Sequence, residues 1–166
     1  MRSMVMAATV VVLAGGVAPA ARAEEGPAVM VAKGWLGALR EKDASKLKLA
    51  TGFPFTEAGI GPGGGHCGKR AKAADAASFM AAAECMIADA QFVESVPPQF
   101  EAEIVQLKQI KNPTFKKNMK SLTPLAKDHT FVAATISGNE LKYEVLLAVK
   151  KGAAVTLVLA ESAPTE

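Results

Sequence analysis

From Thr130 to Leu159 the chain is written in the period of a β-strand. Thr130 to Ile136 is rich in β-formers. Leu141, Tyr143, Val145, Leu147 and Val149 then recur at every second position, alternating with Lys142, Glu144 and Lys150. Val155, Leu157 and Leu159 continue the pattern. Successive side chains of a strand point to opposite faces, so this spacing gathers one apolar face. Ser137-Gly138-Asn139 and Lys151-Gly152 supply turns. The segment therefore predicts a three-stranded antiparallel meander. A meander with one apolar face needs cover, and the cover must come from the preceding residues.

Those residues read as helices. Val31, Trp35, Leu36 and Leu39 fall at helical spacing after Glu24, Glu25 and Pro27, which predicts a helix over 28–42. Asp43 is placed to cap a shorter helix through Ala50, closed by Gly52. Asp75 can cap a third helix with Phe79, Ala83, Met86 and Ala90 on one stripe, ending near Ala88 to Ala90. Phe53-Pro54-Phe55-Thr56 predicts a short strand start or edge strand, because proline donates no ladder bond. Gly59 to Gly68 predicts a loop, and Val96-Pro97-Pro98 a break. Residues 101–110 fit a helix or a half-buried strand, with a lean to strand. Residues 112–127 predict one helical turn plus loop. The fold class expected is α+β: N-terminal helices packed on a curved antiparallel sheet that ends in the meander.

The N-terminus predicts destination. Met1-Arg2-Ser3 is followed by an uncharged apolar run from Met4 to Val17, then by Ala21-Arg22-Ala23. This is the pattern of a secretory signal peptide cleaved after Ala23. The run would span about 21 Å as a helix, short of a bilayer core. A lipid anchor is not expected, since Gly16 stands where a lipidated cysteine would be. The organisation expected is a signal over 1–23, one domain over 24–161 and a tail over 162–166, in a periplasmic or extracellular protein. Arg2 and Arg22 leave with the signal, and the formal charge falls from +3 to +1. Global charge then gives no reason to expect a nucleic-acid partner.

Export also bears on the two cysteines. Cys67 and Cys85 would tend to close a disulfide in an oxidising compartment, worth about 3 kcal/mol for a loop of that size. Two buried thiols or a redox or metal pair are the alternatives.

The order of elements resembles the nuclear transport factor 2-like superfamily, a cystatin-like cone. The stretch from Trp35 to Leu47 is similar to that family's first helix and Asp-initiated second helix, and Phe53-Pro54-Phe55 to the start of its first strand. The resemblance implies a sheet wrapped on a long helix, with a pocket at the open end of the cone. It also implies that some relatives are isomerases or dehydratases while others only bind or dimerise, so fold does not supply function.

Several motifs compete for chemistry. Gly59-Ile60-Gly61-Pro62-Gly63-Gly64 matches a dinucleotide loop in letters, but no βαβ unit surrounds it. Gly63 to Lys69 imitates a phosphate loop, but Arg70 replaces the Ser/Thr that would hold magnesium. His66 beside Cys67 gives no metal-ligand set. No cofactor or metal is expected. Glu84, Asp89 and His129 are weak candidates for a catalytic base, each with a bland alternative: a solvated helix face for the two acids, a turn for His129. Trp35, Phe53, Phe55 and Tyr143 are the candidate ligand-facing residues, with core as the alternative. Lys108, Lys111, Lys116, Lys117, Lys120 and Lys127 form a run without an acid between 104 and 127.

Three functions stay open. One is a non-catalytic module that binds a small apolar ligand or a protein, including a homodimer through the sheet face. The second is a small lyase or isomerase. The third is a structural envelope protein that docks through its lysines.

Overall fold

The computed structural model describes residues 25–60, 72–117, 119–138 and 141–162. Helix α1 spans Pro27–Arg40, with proline in the first turn, where a missing N–H costs nothing. Helix α2 spans Ala44–Leu49, and Asp43 caps it by accepting from the Lys46 N–H at 2.9 Å. Helix α3 spans Ala76–Ala88 behind a capping box: Asp75 accepts from the Ser78 N–H at 2.8 Å, and the Ser78 hydroxyl accepts from the Asp75 N–H. These boundaries fall where the caps and apolar spacing put them. Helix α4, Ala90–Ser95, was not anticipated; it is one short extra turn started by Asp89.

Strand β1 is Thr51–Ile60, β2 Lys72–Ala73, β3 Ala102–Val105, β4 Thr130–Ser137, β5 Lys142–Lys150 and β6 Ala153–Ser162. They form one six-stranded sheet in the order β2-β1-β6-β5-β4-β3. The meander β4–β5–β6 is antiparallel throughout, as the alternation requires. The sheet as a whole is mixed, because β1 runs parallel to β6. The α+β class holds, and the sheet is not closed into a barrel.

Several expectations are corrected. The Phe53–Thr56 piece belongs to a ten-residue strand one place in from the edge. Pro54 is tolerated there because the β1–β6 register breaks between Thr51 and Thr56, so no ladder donor is demanded; the Phe53–Pro54 peptide is cis. Gly52 lies in the same strand rather than closing α2. A Cβ there would meet Val155 Cγ1 at 2.8 Å, so glycine permits the close approach of β1 to β6. Residues 101–110 divide into β3 and a 3-10 turn over Leu107–Gln109. Residues 112–127 carry two short helices, α5 at Pro113–Lys117 and α6 at Met119–Leu122, then a 3-10 turn over Thr123–Lys127. Gly59 and Ile60, expected in a loop, belong to β1; residues 61–71 lie outside the described set, with most of both glycine motifs and His66. Ser162, expected in the tail, belongs to β6.

Both faces of the sheet are covered by the chain itself. Trp35, Leu36 and Leu39 of α1, Leu47 of α2, Phe79 and Met86 of α3 and Phe92 of α4 pack on the inner face, against Phe55, Ile136, Tyr143, Leu147 and Leu157. On the outer face, Phe115 and Leu122 pack on Phe131, Leu146, Ala148, Val158 and Ala160. The second layer explains why Val145 to Val149 are buried without alternation: a strand covered on both sides reads as a continuous apolar run. It also occupies the sheet face on which a homodimer contact was expected.

Candidate functional site

The side chains nominated as ligand-facing are aromatic, and the structure turns most of them toward one another. Trp35 and Phe55 are fully buried, stacked with ring centroids 6.0 Å apart. Phe79 meets Phe55 edge-on at 5.1 Å and Phe53 at 5.7 Å. Tyr143, also buried, packs on Phe92 at 5.1 Å. Such pairs add roughly 0.5–1.5 kcal/mol each beyond their buried area. The Trp35 indole N–H donates to Thr51 Oγ1 at 2.9 Å, and that hydroxyl donates to the Leu47 carbonyl at 2.6 Å. The indole is thus satisfied inside the fold and ties α1 to the start of β1. Trp35, Phe53 and Phe55 are brought together; Tyr143 sits with Phe92 at another point of the same core.

The three candidate bases are not assembled around that core. Glu84 is exposed on α3. Asp89 accepts from the Phe92 N–H at 3.0 Å as the cap of α4. His129 lies just before β4, with Nδ1 2.8 Å from the Leu125 carbonyl and 2.6 Å from Asp128 Oδ1. A carbonyl only accepts, so Nδ1 carries the proton. Asp128 and His129 precede the strand, and their side chains do meet, contrary to the opposite-face argument. Asp128 also accepts from Lys150 Nζ at 2.5 Å, and that bond holds its carboxyl below the usual carboxylate range. The pair fastens the start of β4 to the end of β5.

One carboxylate was missed. Glu57 on β1 is 1% exposed, and neither of its carboxyl oxygens has a hydrogen-bond partner among the described residues. Burial alone pushes its pKa from 4.5 to about 7. The signal was present in the sequence: Phe53, Phe55 and Glu57 share a parity, so a strand through Phe55 carries Glu57 to the face that buries Phe55. Glu57 pairs in register with Leu157, an inner-face residue.

Open space lies elsewhere. A groove of about 1390 Å³ runs between α1 and the β3 edge, lined by Lys33, Gly37, Arg40, Phe100, Thr135 and Ser137 among others. Gly37 faces it with nothing within 4 Å of the position a Cβ would take. The Lys33 ammonium pairs with Glu25 and lies 5.9 Å from the centroid of the Phe100 ring. A smaller recess of about 300 Å³ lies between Ser95 and Gly138 and reaches Tyr143. Neither space is lined by Glu57. No group of three His, Cys, Asp or Glu among the described residues could hold a metal ion. Cys85 is half-buried on α3, and no cysteine among the described residues is a free thiol. Cys67 lies outside the described residues, so the expected Cys67–Cys85 pairing is not placed by the fold.

No protein-family model matches the sequence. No match was found among curated proteins. Solved structures do resemble the fold. A nuclear transport factor 2-like protein of unknown function from Burkholderia xenovorans shares 12% identity over 84% of this chain and 86% of its own, with a TM-score of 0.43. A candidate isomerase from Rhodopseudomonas palustris shares 10% over 85% of this chain and 93% of its own, also at 0.43. A cystatin-fold protein from Novosphingobium aromaticivorans shares 10% over 80% and 96%, at 0.39. At such identity no residue role passes from them to this chain.

Proposed function

We propose that the protein is an exported, non-catalytic interaction module, and that its partner is a chain segment lying extended in the groove between α1 and the β3 edge. The observation that carries this reading is the filled interior: Trp35, Phe55, Phe79, Phe92 and Tyr143 occupy the inside of the sheet at 0–1% exposure, while open volume lies outside it. Three features support an extended occupant. Among the described residues strand β3 pairs with Phe131–Ala134, so Thr135 to Ser137 of β4 run past the end of its ladder into the groove lining. Backbone at such an edge accepts an added strand. Gly37 leaves the opposite wall bare, and Lys33 and Arg40 with Glu25, Glu101 and Glu103 give the lining charge of both signs.

The test is a peptide selected from a random library on the folded protein, followed by amide-shift mapping. Shifts at Lys33, Gly37, Arg40, Thr135 and Ser137 are expected. Shifts confined to Trp35, Phe55 and Tyr143 would show a ligand entering the core and would end this reading.

A small lyase or isomerase is favoured by one observation, the unpaired Glu57 carboxyl, which has the acidity a general base needs near neutral pH. It requires a route from solvent to that carboxyl. Turnover of a carbonyl substrate that is lost in Glu57→Gln and retained in Glu84→Gln and Asp89→Asn would establish it.

A further inference from the structure

We propose that the layer formed by residues 107–117 and 119–127 is a docking surface for the anionic headgroups of a phospholipid bilayer. This layer lies on the outer face of the sheet, with Phe115 and Leu122 turned down onto Leu146 and Val158. Lys108, Lys111, Lys116, Lys120 and Lys127 are all exposed. None of the five has an ion-pair partner among the described residues. No acid occurs between 104 and 127 to offset them.

Of the nearby acids on the strands beneath, Glu103 of β3 is exposed at the rim of the layer, and two others are already engaged. Asp128 accepts from Lys150 and His129, and Glu144 accepts from Asn112 Nδ2 at 2.7 Å. Exposed acids elsewhere sit on the other side of the sheet, such as Glu41 after α1, Glu84 on α3 and Glu94 on α4. A chain with little net charge is therefore divided into a basic face and a more acidic one. Such a molecule orients at a charged plane even though its total charge gives little attraction.

Headgroups fit this surface better than nucleic acid does. Exposed lysines act as point charges with no planar fork, and suit phosphates spread over a plane. The one aromatic ring in the layer, Phe115, is buried, so bases have nothing to stack on. No described helix is long and apolar enough to cross a membrane, and the contact proposed is with headgroups alone. Each lysine brought to an anionic surface multiplies the partition by about fivefold, and the effect fades within a Debye length of about 10 Å at 0.1 M salt.

The test is co-sedimentation of the purified protein with vesicles of phosphatidylglycerol and phosphatidylcholine, against phosphatidylcholine alone. The comparison variant is Lys116→Glu/Lys120→Glu, whose two sites are exposed and whose thermal melt should match the parent. The expected result is a phosphatidylglycerol-dependent increment in binding. It should drop at least about twenty-fivefold in the variant and vanish at high salt. Any apolar contribution from residues 1–23 is common to both proteins and to both vesicles. Equal binding by parent and variant, no increment with phosphatidylglycerol, or tighter retention on single- or double-stranded DNA than on the anionic vesicles would overturn the proposal.

Discussion

Replacing Glu57 by glutamine keeps the shape of the side chain and removes its proton equilibrium. In the folded protein the carboxyl is buried without a partner among the described residues, and its pKa is raised from 4.5 to about 7. A carboxyl that binds its proton more tightly when folded favours the folded state at low pH. The sign is therefore the reverse of ordinary acid denaturation. The stabilising term is fully present below about pH 4.5, is lost as pH rises, and is gone above about pH 7. At 1.36 kcal/mol per pKa unit the whole swing is about 3 kcal/mol.

Urea unfolding of the parent and Glu57→Gln, measured at pH 4, 5.5 and 7.5, isolates this term, because every other titrating group is common to both. The glutamine amide is also buried without a partner, so it adds an offset that does not vary with pH. Relative to the variant, the parent should lose about 3 kcal/mol between pH 4 and 7.5. That is about 1–3 M in midpoint for a typical urea slope. A difference that stays constant with pH would mean that the carboxyl is solvated or paired in solution, and the burial argument would fail.

Three further outcomes follow from the packing. Gly37→Ala should stabilise the fold by about 0.5–1 kcal/mol, since α1 carries the glycine in its interior with open space where a Cβ would go; if the groove is the binding surface, the same change should weaken the selected peptide. Gly138→Ala should lower the melting temperature by several degrees, because its Cβ would lie 2.4 Å from Ser95 Oγ and 3.1 Å from the Leu141 carbonyl oxygen. For the proposed Cys67–Cys85 disulfide, the protein recovered from an oxidising compartment should begin at Glu24, weigh two protons less than its reduced form, and lose about 3 kcal/mol on reduction; two titratable thiols would refute the bond.

Much of the fold was legible locally. Asp43 and Asp75 cap helices because an N-cap needs only its own side chain and the next turn. The meander was legible because a strand with one buried face writes its burial into every second residue. These signals reside within a few positions of the residues they describe. The second buried face does not. Leu146 and Ala148 are covered because α5 and α6, remote in sequence, fold back over them, and a window around β5 holds no record of that. Trp35, Phe53 and Phe55 were nominated as ligand-facing with core as the alternative, and whether Trp35 faces a ligand or Phe55 depends on how closely α1 sits on the sheet.

Glu57 lies between these cases. The parity of Phe53, Phe55 and Glu57 was in the sequence, and it placed the carboxyl on the inner face once β1 was known to extend past Thr56. Its loss of solvent and of any partner was decided by tertiary packing, since burial is the sum of what every other element leaves uncovered. The sequence by itself therefore determined the capped helices α1 to α3 and the strands of the meander, and which face each prefers. The tertiary structure decided which faces find cover, and so where charge is stranded inside and where open space remains outside.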